Sequence, residues 1–288
     1  MLKRVFFFIP IKMQKKALII IIFVLSTFMV WKFCFNQSPK PESGVFQNPK
    51  EIVQKIQGTP VQKIPDALIQ LNKRNLNIKS FYCKKASVKN WQDGKSFNLN
   101  AEIWFEKPAK FRMFLTSFLG KEIDLGSNEE VFWFWSKRSD PRALHWAEHK
   151  DYYKTRLKTP FNPLWIMESF GLKKISLKDK KITESDNRII ISQKTINASG
   201  KPIIKIVLID KTTGKFVGLL VTDIYANPIT SSEVIEYDGK FPTAILYNWY
   251  EEDAMMLIRF GDVQINTHID SDTWKLPNIN PKINMGIE

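Results

Sequence analysis

The 288 residues are 44% apolar and 13% aromatic, enough to bury a real core in one large or two ordinary domains, which excludes a disordered chain. The formal net charge of +14 is uneven: residues 1–40 carry Lys3, Arg4, Lys12, Lys15, Lys16, Lys32 and Lys40 and no acid, whereas the remainder mixes both signs. With no zinc-finger, aromatic RNA-binding or recognition-helix signature, this pattern argues against nucleic acid as a partner and fits a body lying near an anionic bilayer.

In chain order, residues 1–16 are a basic segment that stays cytoplasmic, so the chain beyond the apolar run "ALIIIIFVLSTFMVW" faces the periplasm. Extended to Phe35 the run covers residues 17–35, and no small-x-small cleavage site succeeds it. It therefore reads as a retained transmembrane anchor rather than a cleaved signal peptide. Cys34 falls where a bacterial lipoprotein carries its acylated cysteine. Phe33 precedes it, however, where processing requires a small residue, which argues against lipidation. Cys83 reads as a small buried hydrophobe, and two cysteines make neither a disulfide scaffold nor a four-thiolate zinc site.

Residues 36–44, "NQSPKPESG", form a polar linker, and residues 45–288 form the domain it tethers. "NPKEIVQKIQG" predicts a short amphipathic helix with Asn48 as N-cap, Pro49 at its first position, Glu51 completing a capping box and Gly58 as the stop. "IPDALIQLNKRN" predicts a second helix with Ile64, Leu68 and Leu71 on one stripe. "NPLWIMESFG" predicts a third, ended by Gly171. Strands are expected elsewhere. "FNLNAEIWF", "FRMFLTS", "EVFWFW", "ALHWAEH", "RIIISQ", "PIIKIVLID", "KFVGLLVTDIY", "SSEVIEY", "TAILYNWY", "MMLIRFGD" and "VQINTHI" are separated by turns such as "DKTTGK" and "YDGKFP". The turns leave no room for crossover helices, so the fold is mainly β (α+β), a mostly antiparallel meander of about ten strands that must curl.

"EVFWFW" is apolar on both sides of a strand, with Phe132 and Phe134 opposite Val131, Trp133 and Trp135. A curved sheet with two or three helices on its concave side covers one of those faces and leaves an apolar cavity under a helical lid.

"HWAEH" at residues 145–149 matches H-x-x-E-H. On a helix, His145 and His149 would share a face for zinc, with Glu148 as general base of a hydrolase. The same residues also alternate as a strand, and no third ligand stands out, so the strand is favoured and no metal is assigned. His268 reads as a surface residue. There is no nucleophile elbow, phosphate loop or dinucleotide turn, so no enzyme and no cofactor is implied.

The segments "EIWFEKPAKFRMFL" and "GSNEEVFWFW", then "GKFVGLLVTDIYANPITSSEVIEY", resemble the LolA/LolB family of periplasmic lipoprotein carriers and receptors over most of residues 62–280. The family motifs are matched by Ile103, Trp104, Lys107, Pro108, Phe111 and Met113, and by Ser127, Asn128, Phe132, Trp133 and Trp135. Lys107 stands where the carrier has an arginine that helps hold its lid closed. The resemblance implies an unclosed antiparallel barrel capped by helices, and a monomer that accepts or carries acyl chains of lipoproteins or lipids. Phe111, Met113, Leu115, Val131, Trp133 and Trp135 are the expected cavity lining, with Phe132 and Phe134 as the alternative face. Leu68, Leu71, Leu164 and Trp165 are the expected lid. A second reading is a sensing or regulatory domain similar to RseB, which would call for a further C-terminal domain; the chain stops soon after its last strand.

Overall fold

Alternating apolar side chains draw 15 strands into one sheet in the computed structural model, which describes residues 40–41, 44–92, 94–155, 163–185, 187–197, 199–239 and 241–287. The basic segment, the anchor and Cys34 lie outside the described residues. Among the described residues, no helix is long and apolar enough to cross a membrane.

The first meander comprises β1 (Ser80–Gln92), β2 (Lys95–Glu106), β3 (Lys110–Ser117), β4 (Gly120–Ser127), β5 (Val131–Ser136) and β6 (Leu144–Glu148). The second comprises β7 (Lys181–Glu184), β8 (Arg188–Ile196), β9 (Pro202–Asp210), β10 (Phe216–Asp223), β11 (Pro228–Asp238), β12 (Phe241–Trp249) and β13 (Ala254–Phe260). β1 and β13 pair antiparallel and join the two. The short β14 (Val263–Ile265) adds to β1, and β15 (Lys282–Asn284) runs parallel to β6 at one end of the sheet. The far end is β7, so the sheet is open, as the resemblance implied.

The count exceeds the expected ten because β4, "GKEIDLGS", carries Glu122 and Asp124 and lacks an apolar strand pattern, while β7 and β15 are only four and three residues long; β14 falls within the expected strand "VQINTHI". Register shifts in the β1–β2, β3–β4, β10–β11 and β11–β12 pairs mark irregularities that bend a sheet of this size. The bend shows in the core. One apolar cluster unites Phe111 and Met113 of β3, Phe81 of β1, Ile245 of β12, Leu219 of β10 and Ile191 of β8, strands far apart in the sheet order.

All three predicted helices form: α1 (Pro49–Ile56), α2 (Asp66–Leu76) and α3 (Pro163–Ser169). Asn48 caps α1 by accepting from the Glu51 amide at 3.4 Å, but Glu51 turns to Lys55 at 2.7 Å, so the expected capping box is half formed. α2 has Asp66 in its first turn and Lys73 and Arg74 in its last, matching the helix dipole. Ile64 precedes α2 and is exposed, so it drops out of the expected stripe; Leu68 and Leu71 are buried.

Only α2 and α3 sit on the concave side, where Leu68, Leu71, Ile166 and Phe170 join the main cluster. α1 lies on the other face, with Ile52, Val53 and Ile56 against Phe46, Ile190, Ile206 and Leu208. That explains a β9 apolar on both sides: Ile203, Val207 and Ile209 face inward, and Ile206 and Leu208 face α1.

Candidate functional site

The main apolar cluster lies on the concave face, and alternation along each strand supplies it. Phe111, Met113 and Leu115 of β3 all lie in the main cluster, as expected. Their register partners Ser127, Leu125 and Ile123 on β4 bring Phe132, Phe134 and Ser136 of β5 to the same side. Phe134 packs against the main cluster, and Phe132 packs on Ala147, Tyr152 and Met285.

Val131, Trp133 and Trp135 are therefore not cavity lining. They lie on the convex side in a separate cluster with Leu144, Trp146, Leu276 and Ile279. A C-terminal strap covers them. Trp133 is seated over Gly126, and its Nε1 donates to Asp124 Oδ1 at 3.2 Å. Asp124, fully buried, also receives Arg112 through two nitrogens at 3.2 and 3.0 Å and Lys121 at 2.7 Å. The Arg112 guanidinium donates onward to Thr273 O of the strap at 2.7 Å. Trp104 of the family motif is also on the convex side, stacked on Tyr82 with centroids 5.5 Å apart.

The lid is stitched together by two asparagines. Asn72 exchanges hydrogen bonds with Ile175, Nδ2 donating to its O at 3.1 Å and Oδ1 accepting from its N at 2.8 Å. Asn75, fully buried on the same stripe of α2 as Leu68 and Leu71, donates to Gly171 O and Lys173 O, both at 2.9 Å. Gly171 ends α3 at φ +65, and a Cβ there would meet the Phe216 ring at 2.6 Å. α2, α3 and the chain between Gly171 and Ile175 are thus tied to one another.

Among the described residues, polar contacts hold that piece to the sheet at Lys107, Tyr247 and Lys205. Lys107 Nζ donates to Asn75 O near the end of α2, so the lysine in the family motif still reaches the lid. Burial pulls the Lys107 pKa down. Ser169 and Tyr247 hydroxyls are 2.7 Å apart, and burial pushes the Tyr247 phenol well above its ordinary value. Lys205 Nζ lies 2.7 Å from Glu168 Oε2, both side chains about nine-tenths buried. Trp165, half-buried, packs against the main cluster with Lys205 Nζ 5.6 Å from its ring centroid. Pro108 follows Lys107 in a cis peptide. The side chain of Leu164, the remaining expected lid residue, lies outside the described residues.

Asn72, Asn75, Glu168 and Lys205 were missed by the sequence. Only Lys205 left a signal there, as a lysine on the inward parity of "PIIKIVLID" between Ile203 and Val207.

The H-x-x-E-H stretch is strand β6 running into a 3-10 turn, His149–Lys154, rather than one helix. His145 is buried opposite Phe134 in the β5–β6 ladder. His149 Nε2 is 2.8 Å from Asn128 O and 3.1 Å from Ser127 Oγ. A ring nitrogen that donates to a carbonyl cannot also take a proton from the serine. Among the described residues, no group of three His, Cys, Asp or Glu stands ready to hold a metal ion. Cys83 is buried in the main cluster, where burial raises its thiol pKa, and His268 is exposed.

No family model and no curated protein matches the chain. Among solved structures it is similar to a DUF1329 family protein from Desulfovibrio piger, at 8% identity and a TM-score of 0.49, covering 73% of this chain and 95% of that one. It is similar to a LolA superfamily protein from Nitrosomonas europaea, at 7% identity and a TM-score of 0.49, covering 76% and 99%. A third similar structure is a putative outer membrane lipoprotein-sorting protein domain from Vibrio parahaemolyticus, at 9% identity and a TM-score of 0.48, covering 72% and 94%. At such identities and TM-scores these likenesses carry no statement of family or role.

Proposed function

We propose that the chain is a lipid-binding protein of the cell envelope, tethered to the membrane by its N-terminal segment and facing the periplasm. It accepts or carries acyl chains of lipoproteins or lipids on its concave face, as a monomer and without bond chemistry. The observation that carries this reading is the lid: a two-helix piece, internally stitched by Asn72 and Asn75, covers an apolar concave face and is tied to the sheet by polar contacts at Lys107, Tyr247 and Lys205. Such a lid can lift as a unit and exchange its own Leu68, Leu71 and Phe170 for an acyl chain. Each methylene transferred from water onto this face supplies about 0.8 kcal/mol, so an acyl chain replaces the lid contacts without a covalent step.

Mass spectrometry of the protein extracted from its native membrane tests this directly. Co-purified acyl lipid or lipoprotein is expected, together with an unprocessed N-terminus. Protein that is lipid-free in repeated native preparations overturns the carrier reading. A sensing role has one feature in its favour, the exposed apolar groove formed by Ile64, Ile69 and Leu76 of the α2 region with Leu177. Capture of a defined protein partner through that groove, lost in Ile69→Asp, would replace the carrier reading with it.

A further inference from the structure

α2 carries a second apolar stripe that the fold leaves uncovered. Leu68, Leu71 and Asn75 are buried against the rest of the molecule, whereas Ile69 and Leu76, two helical turns apart on another side, are 49% and 58% exposed. With Ile64 and Leu177 they line an open groove of about 560 Å³ on the outside of the lid. Exposed apolar side chains scattered singly are ordinary; several gathered in one groove mark an interaction surface.

The charge around the groove has one sign. Lys73 and Lys174 stand in its wall, and Lys63 and Lys178 adjoin Ile64 and Leu177 in the chain, all four exposed. None of these ammonium groups has a hydrogen bond or ion pair with a described residue. Residues 62–79 hold four basic side chains and residues 172–181 hold five, against the single acids Asp66 and Asp179. An apolar stripe bordered by unpaired ammonium groups suits the headgroup layer of an anionic bilayer: the isoleucine and leucine side chains reach the acyl boundary, and each lysine stem runs beside them and leaves its charge among the phosphates. A domain tethered to a membrane meets that surface at high local concentration, which favours the bilayer over a protein helix as the occupant.

We propose that the outer side of the lid docks onto an anionic bilayer, with Ile64, Ile69 and Leu76 entering the headgroup layer and Lys73, Lys174 and Lys178 on its phosphates. The inference rests on the lipid-binding reading and names the surface from which the acyl chain comes. Docked in this way, a lid that lifts opens the concave face toward the headgroups, so an acyl chain passes between bilayer and protein without crossing water.

Photo-cross-linking of the full-length protein in lipid nanodiscs decides it. A benzophenone amino acid replaces Ile69 or Leu76, both exposed enough to accept it, and as a control Gln54, exposed on α1 against the other face of the sheet. Lipid adducts are expected from positions 69 and 76 and not from 54. Their yield should be severalfold higher in discs of phosphatidylcholine with one-third phosphatidylglycerol than in phosphatidylcholine alone, and should fall as salt rises, with a third-molar fraction of about 0.3 taken as the anionic condition. Lys73→Gln/Lys174→Gln/Lys178→Gln should lower it severalfold, since each lysine at such a surface contributes about fivefold in binding. No adduct from 69 or 76, or an equal yield from 54, overturns the docking. A yield indifferent to phosphatidylglycerol and to the lysines overturns the anionic surface as the partner. A discrete protein adduct from position 69 in native membranes, in place of lipid, overturns the inference in favour of the sensing role. Mass spectrometry of the natively extracted protein separates the two readings: co-purified lipid without adducts from 69 and 76 removes the docking alone, and adducts on a lipid-free protein remove the carrier reading alone.

Discussion

Trp133 and Gly126 face each other across the β4–β5 ladder so closely that a Cβ at position 126 would lie 2.3 Å from the indole. The ring cannot back away, because Asp124 holds its Nε1 and the strap covers its other side. Gly126→Ala should therefore destabilise the protein by about 1–3 kcal/mol, the usual range for overpacking. A lowered urea midpoint at unchanged slope is expected; a wild-type midpoint would show that Trp133 is free to shift.

Asp124 is the anion that makes Arg112 tolerable beneath the strap. Removing it alone leaves a nearly buried guanidinium without its partner, so Asp124→Ala should cost about 3–5 kcal/mol. Replacing both charges, as in Arg112→Met/Asp124→Leu, should cost less than the sum of the single changes. A double-mutant cycle in equilibrium unfolding measures this, and strict additivity would mean that the pair does not interact.

Lys107 latches the end of α2 through Asn75 O. Lys107→Met should speed hydrogen exchange of the amides at residues 74–78 and quicken uptake of a fluorescent fatty acid, with a stability change of about 1 kcal/mol. The pH dependence has a definite sign. Burial lowers the folded-state pKa of Lys107, so between that value and the unfolded value, about 10.4, the unfolded chain holds more protons. Wild-type stability should therefore gain on Lys107→Met as pH rises through this window and lose that gain as pH falls through the folded pKa. An unchanging difference from pH 7 to 11 would contradict it.

The elements were legible where a local pattern is complete. Asn48-Pro49 and Gly171 marked helix ends, and alternation placed Phe111, Met113 and Leu115 on one face. What alternation cannot give is which face points inward when both are apolar. At β5 that depended on Leu276 and Ile279, residues in an irregular strap far along the chain that carries no periodic signal. β4 was hidden for a related reason: its acids are buried because Arg112 and Arg138 come to them from outside the strand, which composition shows only as a polar stretch. The asparagine stitches are equally silent in sequence, since Asn75 is distinguished only by the backbone carbonyls that happen to meet it.

The strap has one more effect, on the ends of the sheet. Its three-residue β15 lies along β6, and at the opposite end the Val61 amide donates to Ile182 O of the four-residue β7. An open sheet of 15 strands would ordinarily present two long rows of unsatisfied amides to neighbouring molecules. Here the terminal strands are only three and four residues long, so the large open sheet offers little template for strand-by-strand polymerisation.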